Sequence, residues 1–227
     1  LEEADARPAH LESQDERPVH ILTFSAKTDS ALRMQVPAWH EPLDANDSSW
    51  IADACYSANV GRKHQPVRAA VVLSSANDAR EQLDRIAHGL PVPEGTVPLD
   101  VDTVQKNRIA FLFTGQGAQY PTMLNGLYRH SAVFRDAFDE CASYLDGELS
   151  RPLSQLVFSG ESQDRSHAIH QTGFTQPALF ATQYSLWQLW KSWGIAGDVL
   201  MGHSIGEVAA YCVAGGCSLL DALKLVA

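Results

Sequence analysis

Asp198-Val199-Leu200-Met201-Gly202-His203-Ser204-Ile205-Gly206-Glu207 is the stretch that decides how this chain is read. A short apolar run enters Gly-x-Ser-x-Gly, and a strongly helical pattern, VAAYCVAG, follows at once. The motif arises by chance in structural turns, but strand, tight turn and helix together are the setting in which it raises a serine nucleophile. β-Carbons two residues to either side of that serine would obstruct the turn, so Gly202 and Gly206 let the chain pass. Ser204 then stands at a helix N-terminus, where backbone N–H groups and the helix dipole stabilise an oxyanion. The N–H of Ile205 is the natural first donor.

A second donor must come from another strand end. Upstream, Arg108–Phe113 reads as a continuous apolar strand of the buried, parallel kind, ending in Thr114-Gly115-Gln116-Gly117-Ala118-Gln119. Two glycines one residue apart permit a sharp turn at the carboxyl end of a strand, which is the ligand-binding edge of an open α/β sheet. Gly115-Gln116-Gly117 is therefore the upstream candidate. It has neither the third glycine of a dinucleotide fingerprint nor the Lys-Ser/Thr of a phosphate loop. Between the two motifs the spacing predicts helices near 123–129 and 131–145, the latter with Val133, Phe134, Ala137, Phe138, Cys141 and Leu145 on one stripe. A short helix at Leu153–Val157 leads to the polar loop SGESQDRSHA (159–168). A long helix, Ala178–Trp193, follows Pro177, carries Leu179, Phe180, Tyr184, Leu186, Trp187, Leu189 and Trp190 as a largely buried set, and ends at Gly194.

A serine nucleophile needs a base. The histidines stand at 10, 20, 40, 64, 88, 130, 167, 170 and 203, and none follows Ser204. The His203 side chain is expected to project away from the serine. His167 and His170, three apart with no third ligand, read as surface residues of the polar loop rather than as a base or a metal site. Folds with this elbow place the histidine after the serine, so the base is expected C-terminal to Ala227.

The first half reads differently. Val19–Ser25 is a strand, and Thr28-Asp29-Ser30 starts a helix that Pro37 and Pro42 keep short. A second helix runs from Ser48 or Ser49 to Val60 with Ile51, Ala54, Cys55 and Ala58 on its apolar face and Gly61 as terminator. Val67–Leu73 is a strand, and Asn77 caps a helix to about His88 with Leu83, Ile86 and Ala87 inward. No nucleophile–base pair, ligand cluster or phosphate loop lies in this α/β unit, so its expected role is structural. LPVPEGTVPLDVDT (90–103) is broken by Pro91, Pro93, Gly95 and Pro98 and reads as a junction. The expected organisation is an acidic leader at 1–17, a small unit at 18–90, a connection at 91–107 and a second unit at 108–227.

Composition bounds the function. The chain has 227 residues, 45% hydrophobic and 19% charged, which excludes a disordered polyelectrolyte. At about 150 residues per domain this is one and a half domains, and an N-terminus without methionine suggests a segment excised from something longer. The net charge is -10, and residues 1–105 hold 9 Lys+Arg against 17 Asp+Glu while 106–227 hold 8 against 10. With no basic run, neither nucleic acid nor an anionic membrane is an expected partner. No stretch reaches the roughly 18 apolar residues of a membrane span, and the acidic, Pro-containing leader is not a signal peptide. Four cysteines without a CxxC pair read as reduced, packed residues of a cytoplasmic protein.

FLFTGQGAQYPTM (111–123), TGFTQPALFATQYSLWQLWKSWG (172–194) and GHSIGEVAAYCVAGGCSLLDAL (202–223) resemble, in order, the N-terminal half of an acyltransferase domain. The family is that of the malonyl-CoA:acyl-carrier-protein transacylases within modular polyketide synthases and type I fatty acid synthases. HILTFSAKTDSALR (20–33) and NVGRKHQPVRAAVVLSS (59–75) resemble the linker domain between ketosynthase and acyltransferase in those megasynthases. The resemblance implies an α/β fold: a small α+β linker domain, then the first part of an α/β-hydrolase-like parallel-sheet domain.

It also implies a chemistry. Ser204 would take an acyl group, malonyl by this likeness, from CoA and pass it to the phosphopantetheine thiol of an acyl carrier protein, with Gln116 and Ile205 giving the oxyanion N–H groups. Gln176, His203, Gly115 and Gly117 would line the pocket, with no tightly bound cofactor and no metal. The family's histidine base, and an arginine for the extender carboxylate about 25 residues past the serine, would lie beyond Ala227. Carrier protein, ketosynthase and the remaining acyltransferase half are the implied partners. A branched apolar residue at 205 correlates in the family with malonyl selectivity. The linker departs from the family's longer charged first helix at Pro37 and Pro42. An α/β-hydrolase esterase or thioesterase, and an inert interdomain scaffold, are the rival readings. A partial sheet would also leave apolar surface open and make the isolated chain poorly soluble.

Overall fold

The computed structural model describes residues 18–39, 48–90, 95–100, 108–158 and 168–227. The acidic leader, Pro42, Pro91, Pro93, most of the polar loop and His167 lie outside these residues. The chain divides into two compact units, Leu1–Asn107 and Arg108–Ala227.

In the first unit β2 (Val67–Leu73) lies between β1 (His20–Ala26) and β3 (Gly95–Asp100), antiparallel to both. The β1–β2 register pairs Leu22 with Val71, Phe24 with Ala69 and Ala26 with Val67, so these six side chains share one face. All are buried against Leu32 of α1 (Asp29–Gln35), Ile51, Cys55 and Ala58 of α2 (Ser48–Val60), and Leu83 and Ile86 of α3 (Ala76–Ala87). Thr28 caps α1, which passes at Val36–Trp39 into a 3-10 turn containing Pro37, so the proline shortens the helix as its ring requires. Asn59 secures β1: its Oδ1 accepts from Thr23 N–H at 3.2 Å and its Nδ2 donates to the Ile21 carbonyl at 2.9 Å.

Two expectations are corrected here. The cap of α3 is Ser75, not Asn77: its Oγ accepts from Asp78 N–H, and the Asp78 carboxylate accepts from Ser74 N–H, a reciprocal pair that Asn77 cannot make. The segment read as a connection supplies β3. Arg68 pairs with Leu99 and Ala70 with Thr96, so Val97 and Pro98 together face Ala69 in a bulge. An edge strand with a bulge tolerates a proline that a central strand excludes.

In the second unit β4 (Ala110–Phe113) and β5 (Val199–Gly202) run parallel, Phe113 opposite Gly202. The strand read as continuously buried is not so. Phe111 and Phe113 lie against Trp187, ring centroids 5.0 and 6.5 Å apart, while Leu112 on the opposite face is 71% exposed and Met201 58%. Alternation puts half of each strand on a face that the described helices leave open. Helices α4 (Asn125–His130), α5 (Ala132–Leu145) and α6 (Leu153–Phe158) follow β4. Phe134, Ala137, Phe138, Cys141 and Leu145 of α5 are buried, but Val133, in its first turn, is 42% exposed.

The long helix α7 (Thr172–Ser192) begins six residues before the expected Ala178, with Pro177 inside it. Its first turn is built on the Gln171 carbonyl, which accepts from Phe174 N–H, Thr175 N–H and Thr175 Oγ1. The bond that Pro177 cannot make would have gone to Gly173, which is exposed. Leu179, Phe180 and Leu189 are buried, Tyr184, Leu186 and Trp187 half-buried, and Trp190 exposed. The deeper surprise is polar: Thr182 and Ser185 are buried and return their hydroxyl protons to the Ala178 and Ala181 carbonyls. Gly194, at φ +75°, ends the helix. After β5 come α8 (Ile205–Val213) and α9 (Leu219–Val226), the latter capped by Ser218.

Candidate active site

β5 delivers the chain to Ser204, which sits at φ 55° and ψ -121° as the N-cap of α8. A non-glycine residue in that region is strained by about 1–3 kcal/mol and persists only where its surroundings impose it. Those surroundings are visible. His203 N–H donates to the Phe113 carbonyl at 3.1 Å, one step past the strand pair, and Glu207 N–H then donates to the Ser204 carbonyl at 2.8 Å. A β-carbon at Gly202 would collide with Glu207 N and the Gly206 carbonyl, and one at Gly206 would collide with the Phe113 carbonyl and lie 2.8 Å from the Thr114 carbonyl oxygen. Gly202 thus lets the elbow close on itself, while Gly206 lets α8 start against the end of β4.

Ser204 is exposed, and its Oγ makes no hydrogen bond to a described residue. The Ile205 N–H also has no described acceptor, because Gly206 and Glu207 take the carbonyls that the turn offers. The Ile205 side chain is only 6% exposed and belongs to the core of the unit, so its amide is what reaches the site.

Gly115 brings the second motif to the first. It is buried, and a β-carbon there would strike His203 Nδ1 and lie 2.9 Å from the His203 carbonyl. Gly117 has φ +114°, a left-handed conformation that favours glycine. Its N–H donates to Gln119 Oε1 at 2.7 Å, whereas Gln116 N–H has no described acceptor. Gln183 of α7 donates through Nε2 to the Thr114 carbonyl at 2.8 Å and to Thr114 Oγ1 at 3.2 Å. Gln116 Nε2 lies 3.4 Å from Thr172 Oγ1. Gln176 is half-buried in α7 immediately before Pro177, and its side chain makes no hydrogen bond to a described residue.

No described histidine hydrogen-bonds to Ser204. The His203 ring is against Gly115, and His170 Nδ1 lies 3.2 Å from Gln119 Nε2. His170 is exposed, as read, and its Nδ1 also engages the turn through Gln119. Burial pushes the Cys55 and Cys212 thiols up to about 11 and that of Cys141 higher still, so these sulfurs do not compete as nucleophiles near neutrality. Among the described residues no group of three or more His, Cys, Asp or Glu is placed to hold a metal ion, and no helix is long and apolar enough to cross a membrane. Gln119, Gln183 and His170 are the site-building residues that the sequence reading missed. The usable signal for Gln183 was a long polar side chain inside the largely apolar ALFATQYSLW (178–187).

A family model described as acyl transferase domain matches residues 110–227, and one described as CurL-like, PKS C-terminal matches residues 20–83. The chain is 35% identical over 205 residues to the PKS-NRPS hybrid synthetase ATPKS of Aspergillus niger, covering 90% of this chain and 11% of that protein. It is 38% identical over 203 residues to the polyketide synthase GfsA of Streptomyces halstedii, covering 89% and 3%. The solved acyl transferase domain of ZmaA superposes with a TM-score of 0.83 at 33% identity, over 94% of this chain and 48% of that one. The acyltransferase domain from module 8 of the salinomycin polyketide synthase gives 0.76 at 30%, over 92% and 48%. The chain therefore spans about half the length of these solved domains and a small part of the curated synthases.

Proposed function

The chain belongs to the acyl transferase domain family of type I polyketide synthases, as the N-terminal part of that domain with its adjacent linker region, and on that premise we propose that its second unit carries the nucleophile half of an acyl-transfer site. Ser204 Oγ attacks the thioester carbonyl of a malonyl-type acyl-CoA. The negative charge that develops on the carbonyl oxygen is held by the N–H groups of Ile205 and Gln116. Collapse breaks the carbon–sulfur bond, and the proton from Ser204 leaves with the CoA thiol. The phosphopantetheine thiol of an acyl carrier protein then attacks the serine ester, and the proton returns to Ser204 Oγ.

The general base and the arginine for the extender carboxylate are assigned to the part of the domain C-terminal to Ala227. Ketosynthase and carrier protein are the proposed neighbours, and the first unit spaces the ketosynthase from the acyltransferase. One observation carries this reading. Ser204 is held at φ 55° at the head of α8 while Gly115 packs the Gly-Gln-Gly turn against His203, so two unengaged amides, of Ile205 and Gln116, belong to one site. The test is partition. The acyltransferase domain containing this chain, given malonyl-CoA and a phosphopantetheinylated carrier protein, should load the carrier faster than it releases free malonate. Rapid release of malonate with no loading would replace transfer by hydrolysis.

A further inference from the structure

We infer that Gln119 and His170 are positioning residues that hold the Gly115–Gln116–Gly117 turn in its oxyanion-binding shape, an inference that rests on the transfer reading above. Gly117 has a backbone N–H that can only donate. It donates to a side-chain oxygen, Oε1 of Gln119, at 2.7 Å. That choice fixes the carboxamide: with its oxygen toward Gly117, its nitrogen faces His170 Nδ1 at 3.2 Å. An amide nitrogen has no acceptor capacity, so Nδ1 accepts in this contact. Gly117, Gln119 and His170, the last two 51 residues apart in sequence, are thereby committed to one direction of donation.

Gln119 is 8% exposed and has no other hydrogen-bond partner among the described residues, so this relay accounts for its burial. The other end of the turn is tied by Gln183 to the Thr114 carbonyl. Between the two ties, the Gln116 amide is left without a described acceptor. A turn with two glycines has much conformational freedom to lose, and small displacements of an oxyanion donor are costly to the rate. The relay supplies the restraint that the glycines do not.

The experiment uses the acyltransferase domain containing this chain and reads two quantities. One is the rate of malonyl-enzyme formation at saturating malonyl-CoA together with KM. The other is amide exchange in the 114–119 segment, followed by mass spectrometry. Gln119→Leu is expected to slow acylation about tenfold and His170→Ala about threefold, with KM unchanged and faster exchange in the turn. His170→Asn keeps an acceptor oxygen close to the place of Nδ1 and should restore both readouts. Because His170 is exposed, its variants fold even where Gln119→Leu does not. Unchanged acylation and exchange in His170→Ala, or a His170→Asn variant no better than His170→Ala, would overturn the relay. Carrier loading that survives Ser204→Ala would instead defeat the transfer reading, and the exchange measurement would still decide the relay.

Discussion

The two sheets of this molecule are built on opposite terms. In the first, the face turned from the helices carries Thr23, Ser25 and Arg68 among Ile21, Ala70 and Val72, and water is an acceptable neighbour. In the second, the face opposite α7 carries Leu112, Val199 and Met201, all exposed. An apolar parallel strand pair with one open face is expected to be half of a layered structure, as parallel sheets are covered on both faces. The units also differ in strain. Among the described residues, the three non-glycine positive φ angles, at Thr122, Leu124 and Ser204, all fall in the second unit. The first unit is built for stability, and the second gives some of its stability to the geometry of a site.

The contrast breaks most sharply at Gly206. Gly206→Ala should cost upward of about 3 kcal/mol, since the new methyl meets the Phe113 and Thr114 backbone at the end of β4, which cannot swing aside as a side chain can. Gly126→Ala in α4, where a β-carbon meets nothing within 4 Å, should be neutral or stabilising by about 0.5–1 kcal/mol. Chemical denaturation of the two variants measures the difference, and equal effects would remove the close approach from the account.

Much of this was legible along the chain. Val67–Leu73 is the strand that its β-branched alternation specifies, and Ile51, Cys55 and Ala58 lie on the buried stripe that their spacing sets. Ser204 was legible because the elbow is local: strand, glycines and helix lie within about ten residues. What was hidden depended on particular hydrogen-bond partners rather than on apolar spacing. Pro98 conceals β3 because its compatibility with a strand depends on an edge position and a bulge that only pairing creates. Pro177 conceals the start of α7 because the residues that nucleate that turn, Gln171 and Thr175, work through a carbonyl shared in space. The pairing of Gln119 with His170 has no local signature, since 51 residues separate them, and the polar signal of Gln183 does not name its partner Thr114, 69 residues away.

A smaller effect sharpens the comparison of strain. Leu124→Gly and Thr122→Gly relieve left-handed backbone in the segment after the Gly-Gln-Gly turn. Thr122→Gly should stabilise the second unit by about 0.5–1 kcal/mol, the relief of strain exceeding the entropy that glycine adds to the unfolded chain, whereas Leu124→Gly should destabilise it because it also removes a side chain packed on the core. Thermal unfolding checks this, and a loss of stability in Thr122→Gly would mean that the Thr122 side chain contributes more than its backbone costs.

The smallest effect lies in the first unit. Burial pushes the Asp78 carboxyl up, but donation from Gln82, Ser74 N–H and Ser74 Oγ outweighs it and leaves the carboxyl below its ordinary range. A lowered folded value means that the contribution is complete above the unfolded value of about 3.9 and is lost as pH falls through the folded one. Asp78→Asn should therefore lower the melting temperature modestly near neutrality and hardly at all near pH 2, and a pH-independent difference would contradict this assignment.

The central claim is that Ser204 is the residue that receives the acyl group. The direct measurement is intact and peptide mass after brief exposure of the acyltransferase domain containing this chain to malonyl-CoA. The account predicts a single malonyl adduct on the peptide bearing Ser204, absent in Ser204→Ala. An adduct on any other residue, or one that persists in Ser204→Ala, would contradict it.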